Sequence, residues 1–207
     1  MWKRRNMITP INVKHTNLLR QAVFLSENRQ RDNLQPVRAS IFYINDLHGK
    51  SINIERTMTA SNAFDNFKPS NPTDKLKFSS GDILLGEIEN VNKVAVAGEN
   101  ALNIMASAMG NHEYDMPKKV QNVIPDMKFK MLACNIDIRQ EYPLSKKVEK
   151  SYIQNVNGHR YGVIGTSPTD LISRLKYSNL FAKHEIHNID RRCTYYTVSM
   201  PINILNI

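Results

Sequence analysis

Ile41-Phe-Tyr-Ile-Asn-Asp46-Leu-His48-Gly49 decides the fold. A short apolar run of strand type leads straight into Asp-x-His and a glycine. Along an extended chain, residues two apart share a side, so Asp46 and His48 aim at one spot past the strand end. An oxygen donor and an imidazole held by a rigid strand are the beginning of a metal site. Alone, Asp-x-His also fits a solvated strand end with no ligand.

Two later stretches change that reading. Lys77-Phe-Ser-Ser-Gly81-Asp82 is a second short strand, ending in Gly-Asp. Ala108-Met-Gly110-Asn111-His112-Glu113-Tyr-Asp115 places Gly-Asn-His-Glu after an apolar run. In open α/β sheets, sites collect outside the carboxyl ends of the strands. The order Asp-x-His, Gly-Asp, Gly-Asn-His-Glu resembles the calcineurin-like metallophosphoesterases. Gly81-Asp82-x-x-x-Gly86 and Gly-Asn-His-Glu-Tyr-Asp resemble the 5'-nucleotidase branch. The resemblance covers residues 39–190. It implies an α/β fold, a mixed-sheet sandwich of αββα type, incomplete at the C-terminus.

The chain has 207 residues, 41% apolar and 23% charged, enough for one domain with its own core. No run approaches the roughly 18 apolar residues of a membrane span. The start, Met1-Trp-Lys-Arg-Arg-Asn, is basic, but Lys14, His15, Asn17 and Arg20 interrupt any apolar signal segment. The expected compartment is the cytoplasm, or the periplasm or exterior if the true start differs. Cys134 and Cys193 make no disulfide framework and lack zinc-site spacing; Cys134 reads as a buried strand residue. The net charge of +9 is concentrated in residues 1–38, with eight Lys/Arg against two Asp/Glu. That stretch reads as a solvated basic arm. Contact with nucleic acid is the rival reading, disfavoured because few aromatic residues interleave with the charges.

In chain order, a helix is expected near Asn17 to Glu27 within the arm, and the catalytic portion spans 39–190. Residues after Gly49 read as a helix or loop, Lys75 to Ser79 as a strand, and Val91 to Met109 as a helix with a short strand into Gly110. A helix is expected at 114–125, ended by Pro125, and a strand at Lys128 to Ala133. Asn157-Gly158 between Ser151–Val156 and Arg160–Ile164 predicts a hairpin. From Gly165 to Asp190 the chain reads as loop. Residues 191–207 form an off-pattern tail. Pro201 and the lack of a turn signal predict that the tail adds no core strand. The pattern lapses near Asp190, where a frameshift or misplaced stop is expected.

The resemblance also implies chemistry. Asp46 and His48 would bind a first metal ion, Asp82 would bridge two, and Asn111 would serve the second; Mn, Zn, Fe and Mg all suit such donors. His112 would steady the phosphoryl oxygens or protonate the leaving alkoxide, with Asp115 orienting it. Glu113 reads as a supporting group. The family completes its second metal with later histidines in a Gly-His-x-His block, which is absent here. His159, His184 and His187 read as surface residues. The expectation is a metal-dependent phosphoesterase of 5'-nucleotidase type, acting on nucleotide or other phosphomonoesters, completing one metal site and only weakly active. The alternative is an inactive remnant or binding protein that keeps the fold, with an arm that touches nucleic acid. The oligomeric state is not legible.

Overall fold

The structure is a computed structural model, and it describes residues 24–25, 37–85, 88–115, 117–138, 140, 142–174, 185–186 and 203–206. The elements in order are β1 (Phe24–Leu25), β2 (Ala39–Ile44), α1 (Ser51–Asn66), β3 (Asp74–Ser79), α2 (Glu89–Ala101) and β4 (Ala106–Ala108). Then come α3 (Pro117–Gln121), β5 (Lys130–Leu132), β6 (Ile136–Asp137), β7 (Val148–Glu149), β8 (Ser151–Val156), β9 (His159–Ile164), α4 (Leu171–Arg174), β10 (Glu185–Ile186) and β11 (Asn203–Asn206).

The first half is built of strand–helix–strand units. β2, β3, β4, β5 and β7 form a parallel sheet in that order, with β6, between β5 and β7 in sequence, left out of it. Alternation sorts its side chains between two cores. Leu76, Phe78, Ala106 and Leu132 face Tyr161 and Val163 of β9, packing sheet on sheet. Ile54, Ala95, Val96, Val120 and Met131 join the larger core beneath α1, α2 and α3. The second sheet is mixed, in the order β1-β11-β9-β8. This is the expected α/β mixed-sheet sandwich. No described helix is long and apolar enough to cross a membrane.

α1 has no side-chain N-cap and a weakly amphipathic sequence. Tertiary contacts hold it instead. Lys75 Nζ donates to the carbonyls of Phe64, Asp65 and Phe67 at 2.8, 2.6 and 2.5 Å, where the helix ends and its dipole favours a cation. The buried Lys77 donates to Ser61 Oγ, Asp65 Oδ2 and the Leu102 carbonyl. β8 and β9 meet at Asn157-Gly158, with φ of 51° and 84° and Val156 opposite His159, the two-residue turn expected.

Several expectations are corrected. At Phe24–Leu25, inside the helix expected over Asn17 to Glu27, the chain is β1, antiparallel to β11; the rest of that helix lies outside the described residues. The tail does add a strand. β11 begins two residues after Pro201, so no N–H is missing, and it runs parallel to the edge of β9 that the hairpin leaves open. Residues 165–190 are not all loop: α4 forms, and β10 pairs antiparallel with β6. Both pieces are too short to show periodicity. The helix expected at 114–125 is broken into a 3-10 turn at His112–Tyr114, α3, and a 3-10 turn at Ile124–Asp126, because Pro117 opens one piece and Pro125 lies in another. Cys134 is buried, but it lies in the turn after β5 and is disulfide-bonded.

Candidate active site

Three loops leave the carboxyl ends of β2, β3 and β4 side by side. The loop after β2 is tied to the loop after β3 by Asp46 N–H to Gly81 carbonyl (3.2 Å) and His48 N–H to Asp82 carbonyl (3.3 Å). Asp46, His48 and Asp82 adopt left-handed backbone conformations, with φ of 57°, 50° and 53°. Each costs about 1 kcal/mol or more, and such strain collects at functional sites.

The loops after β3 and β4 are packed together more tightly. A Cβ on Gly81 would stand 2.5 Å from Gly110 N, and one on Gly110 would stand 2.0 Å from Asp82 Oδ1. Both positions therefore need glycine. Glu113 is the anchor between the loops. Its Oε2 accepts from the N–H of Asp82 (3.1 Å) and Gly110 (2.7 Å), and its Oε1 from those of Ile83 (2.9 Å) and Leu84 (3.1 Å). Glu113 is fully buried. Burial and the adjacent Asp82 charge push its pKa up to about 7 against the downward pull of those N–H bonds.

The expected site residues fall as follows. Asp46 is half exposed, and its Oδ1 lies 3.3 Å from His48 Nε2; Asn45 Nδ2 donates to its other oxygen. Asp82 is buried and accepts the His112 backbone N–H at Oδ1 (3.2 Å). Asn111 opens the turn whose next residue is His112. His112 Nδ1 lies 2.6 Å from Asp115 Oδ2, which leaves Nε2 free for another partner. The Asp115 bond raises the His112 pKa, burial opposes it, and the charges of Asp115, Asp82 and Glu113 add to the rise. The His48 and His112 rings meet edge to face at 4.7 Å, which brings the first and third loops together. The donor types suit a divalent cation. Even so, among the described residues no three His, Cys, Asp or Glu side chains stand in an arrangement that would hold one.

Of the later histidines, His159 is partly exposed, and its Nδ1 lies 2.7 Å from Asp74 Oδ2. His184 and His187 lie outside the described residues. Two buried carboxylates carry no motif and escaped the sequence reading. Asp74, at the start of β3, accepts from Asn157 Nδ2 (2.9 Å) and Tyr161 OH (2.5 Å) as well as facing His159. Glu99, in α2, is fully buried with neither oxygen partnered, and burial, with the Glu113 charge, pushes it up to about 8.

No family model matches the chain. Over 134 residues, 60% of its length, it is 32% identical to Protein 5NUC of Lutzomyia longipalpis, of which the match spans 23%. In structure it is similar to a 5'-nucleotidase precursor from Thermus thermophilus, with a TM-score of 0.53 and 21% identity, over 63% of this chain and 29% of that one. It is also similar to the calcineurin-like phosphoesterase YfkN from Bacillus subtilis, with a TM-score of 0.55 and 16% identity, over 74% and 55%. The chain thus has the fold of the calcineurin-like phosphoesterases, with a 5'-nucleotidase among its structural neighbours, and it spans about a quarter of Protein 5NUC.

Proposed function

We propose that this chain is a metal-dependent phosphoesterase of 5'-nucleotidase type, acting on phosphomonoesters of nucleotides. The observation that carries the reading is the meeting of Asp46 and His48, Asp82, and Asn111 with His112 at three adjoining strand ends, the His112–Asp115 pair among them. Asp46, His48 and Asp82 would hold one divalent cation once their side chains turn toward one another, since they do not stand in such an arrangement here, and Asp82 with Asn111 would hold a second. A cation there supplies the positive charge that phosphate-ester hydrolysis requires.

The side chains have their own parts. Asp115 fixes the His112 tautomer with the proton on Nδ1 when the ring is neutral, and it stabilises the charged ring. Charged, His112 presents Nε2–H as a donor to a phosphoryl oxygen or a leaving alkoxide. Among the described residues the second cation would have two oxygen donors, Asp82 and the neutral amide of Asn111, and two such donors would hold it weakly. Turnover by the 207-residue chain alone is therefore expected to be slow, since each 1.36 kcal/mol lost from transition-state binding is about tenfold in rate.

Calorimetric titration with Mn²⁺ tests the reading without relying on turnover. Binding is expected for the chain and lost in the Asp46→Ala, Asp82→Ala double variant, while circular dichroism is retained. Equal binding by both proteins would overturn the site. Mn²⁺-dependent release of phosphate from a nucleoside monophosphate, abolished by His112→Ala, is the accompanying expectation for activity.

A further inference from the structure

The loop after β9 reaches the end of the sandwich where the three site loops meet. Cys134 N–H, just past β5, donates to the Gly165 carbonyl at 2.8 Å. Asn135 and Ser167 exchange two bonds of 2.9 Å each: Asn135 Nδ2 donates to the Ser167 carbonyl, and Ser167 N–H donates to Asn135 Oδ1. Tyr114, which sits between Glu113 and Asp115, holds its hydroxyl 3.3 Å from Ser167 Oγ. Asn135, Ser167 and Tyr114 are all buried, so water does not compete for these bonds. Leu171, at the start of α4, is fully buried in the core that also takes Tyr114 and Leu47. These contacts seat α4 beside the loop that carries His112 and Asp115.

Arg174 stands at the end of α4. Its Nε lies 2.7 Å from Asp170 Oδ1 and its Nη2 2.7 Å from Asp170 Oδ2, a two-pronged grip on the carboxylate. Half exposed and four residues apart, such a pair contributes little to stability. What it does is fix the plane of the guanidinium and leave Nη1 to a further acceptor. The Asp170 bonds, the Asp170 charge and then the Asp82 charge raise the Arg174 pKa, against burial. The guanidinium thus stands within electrostatic reach of the carboxylate proposed to bridge the two cations. An anion held at those cations would lie between acidic side chains and this arginine, and the planar fork of arginine matches the oxygens of a phosphate. We propose that Arg174, held in place by Asp170, binds the phosphate of the substrate, which makes the loop after β9 the fourth loop of the site. The inference rests on the proposed function and adds to it the side chain that takes hold of a phosphomonoester dianion.

The test is calorimetry on the 207-residue chain, titrated first with Mn²⁺ and then with inorganic phosphate. Arg174→Ala is expected to keep Mn²⁺ binding and to weaken phosphate binding at least about tenfold, a change of about 1.4 kcal/mol. Arg174→Lys keeps the charge without the fork and is expected to fall between the two. Asp170→Asn breaks the same ion pair but leaves the cation, and it is expected to retain phosphate binding. An equal loss in Asp170→Asn would make the pair a support of α4 alone and would overturn the proposal. So would unchanged phosphate affinity in a folded Arg174→Ala variant, or a Mn²⁺-loaded chain with no affinity for phosphate. Those results leave the proposed function standing, whereas a chain that binds no Mn²⁺ overturns that function and this inference with it. Should Arg174→Ala fail to fold, Arg174→Gln, which keeps a long polar side chain, is read in its place.

Discussion

Gly110→Ala is the most informative single change at the site. Ordinary Cβ contacts begin at 3.4 Å, and the new methyl would stand 2.0 Å from Asp82 Oδ1 and 2.6 Å from Asp82 N. The side chain alone cannot yield, because a backbone atom is in the way. The loop after β3 must shift bodily against the loop after β4. That movement breaks the bond from His112 N–H to Asp82 Oδ1 and strains those from the Asp82 and Gly110 N–H groups to Glu113. Overpacking costs about 1–3 kcal/mol, and each buried polar group left unsatisfied about 1–3 more, so the expected loss is roughly 3–6 kcal/mol. Gly158→Ala is the control. That site has open space but a φ of +84°, so only backbone strain remains, about 1 kcal/mol. Urea unfolding followed by circular dichroism reads both. A Gly110→Ala variant within about 1 kcal/mol of wild type would refute the claim that the two loops interlock.

Two further outcomes concern pH. Burial alone would raise the Asp74 pKa, but hydrogen bonds from Tyr161, Asn157 and His159 outweigh it and lower the value, so its stabilisation is present above the ordinary 3.8 and lost as pH falls through the folded value. Asp74→Ala is expected to cost about 2–4 kcal/mol at pH 7 by orphaning the buried Tyr161 hydroxyl and freeing the hairpin, and to flatten the acid limb of a urea-midpoint profile; an unchanged acid limb would count against it. Glu99 has the opposite sign: raised from 4.5 to about 8, its stabilisation is present below 4.5 and lost as pH rises through about 8. The loss across that window is about 5 kcal/mol at most, so Glu99→Gln is expected to gain on wild type as pH rises, and parallel profiles would refute it.

What was legible in the sequence was local. Strand runs ending in Asp-x-His, Gly-Asp and Gly-Asn-His-Glu could be placed at strand ends because apolar runs and turn glycines are short-range signals. The Asn157-Gly158 hairpin was legible for the same reason. Contacts between distant stretches were not. Glu113 looks like one more polar residue of its motif until the chain folds and brings it three N–H groups from about thirty residues away. Asp74 stands 85 residues from His159, with nothing in either neighbourhood to announce the pair. β10 and β11 are two and four residues long, too short for alternation to be read.

The site's two halves are held differently, and this bears on how it works. Asp82 and the turn carrying Asn111 and His112 hang on one buried carboxylate, interlocked through Gly81 and Gly110, so moving either loop moves the other. Asp46 and His48 are attached by two longer backbone bonds, with strained φ angles at both residues and Asp46 half exposed. Strain of about 1 kcal/mol or more at each residue persists only when the surroundings over-determine it. The buried Leu47 between Asp46 and His48 and the edge contact of the His48 ring with His112 add to the two backbone bonds and hold the loop in place. What the surroundings leave loose is the half-exposed Asp46 side chain. On the proposed function, a cation joining it to Asp82 would order that side chain.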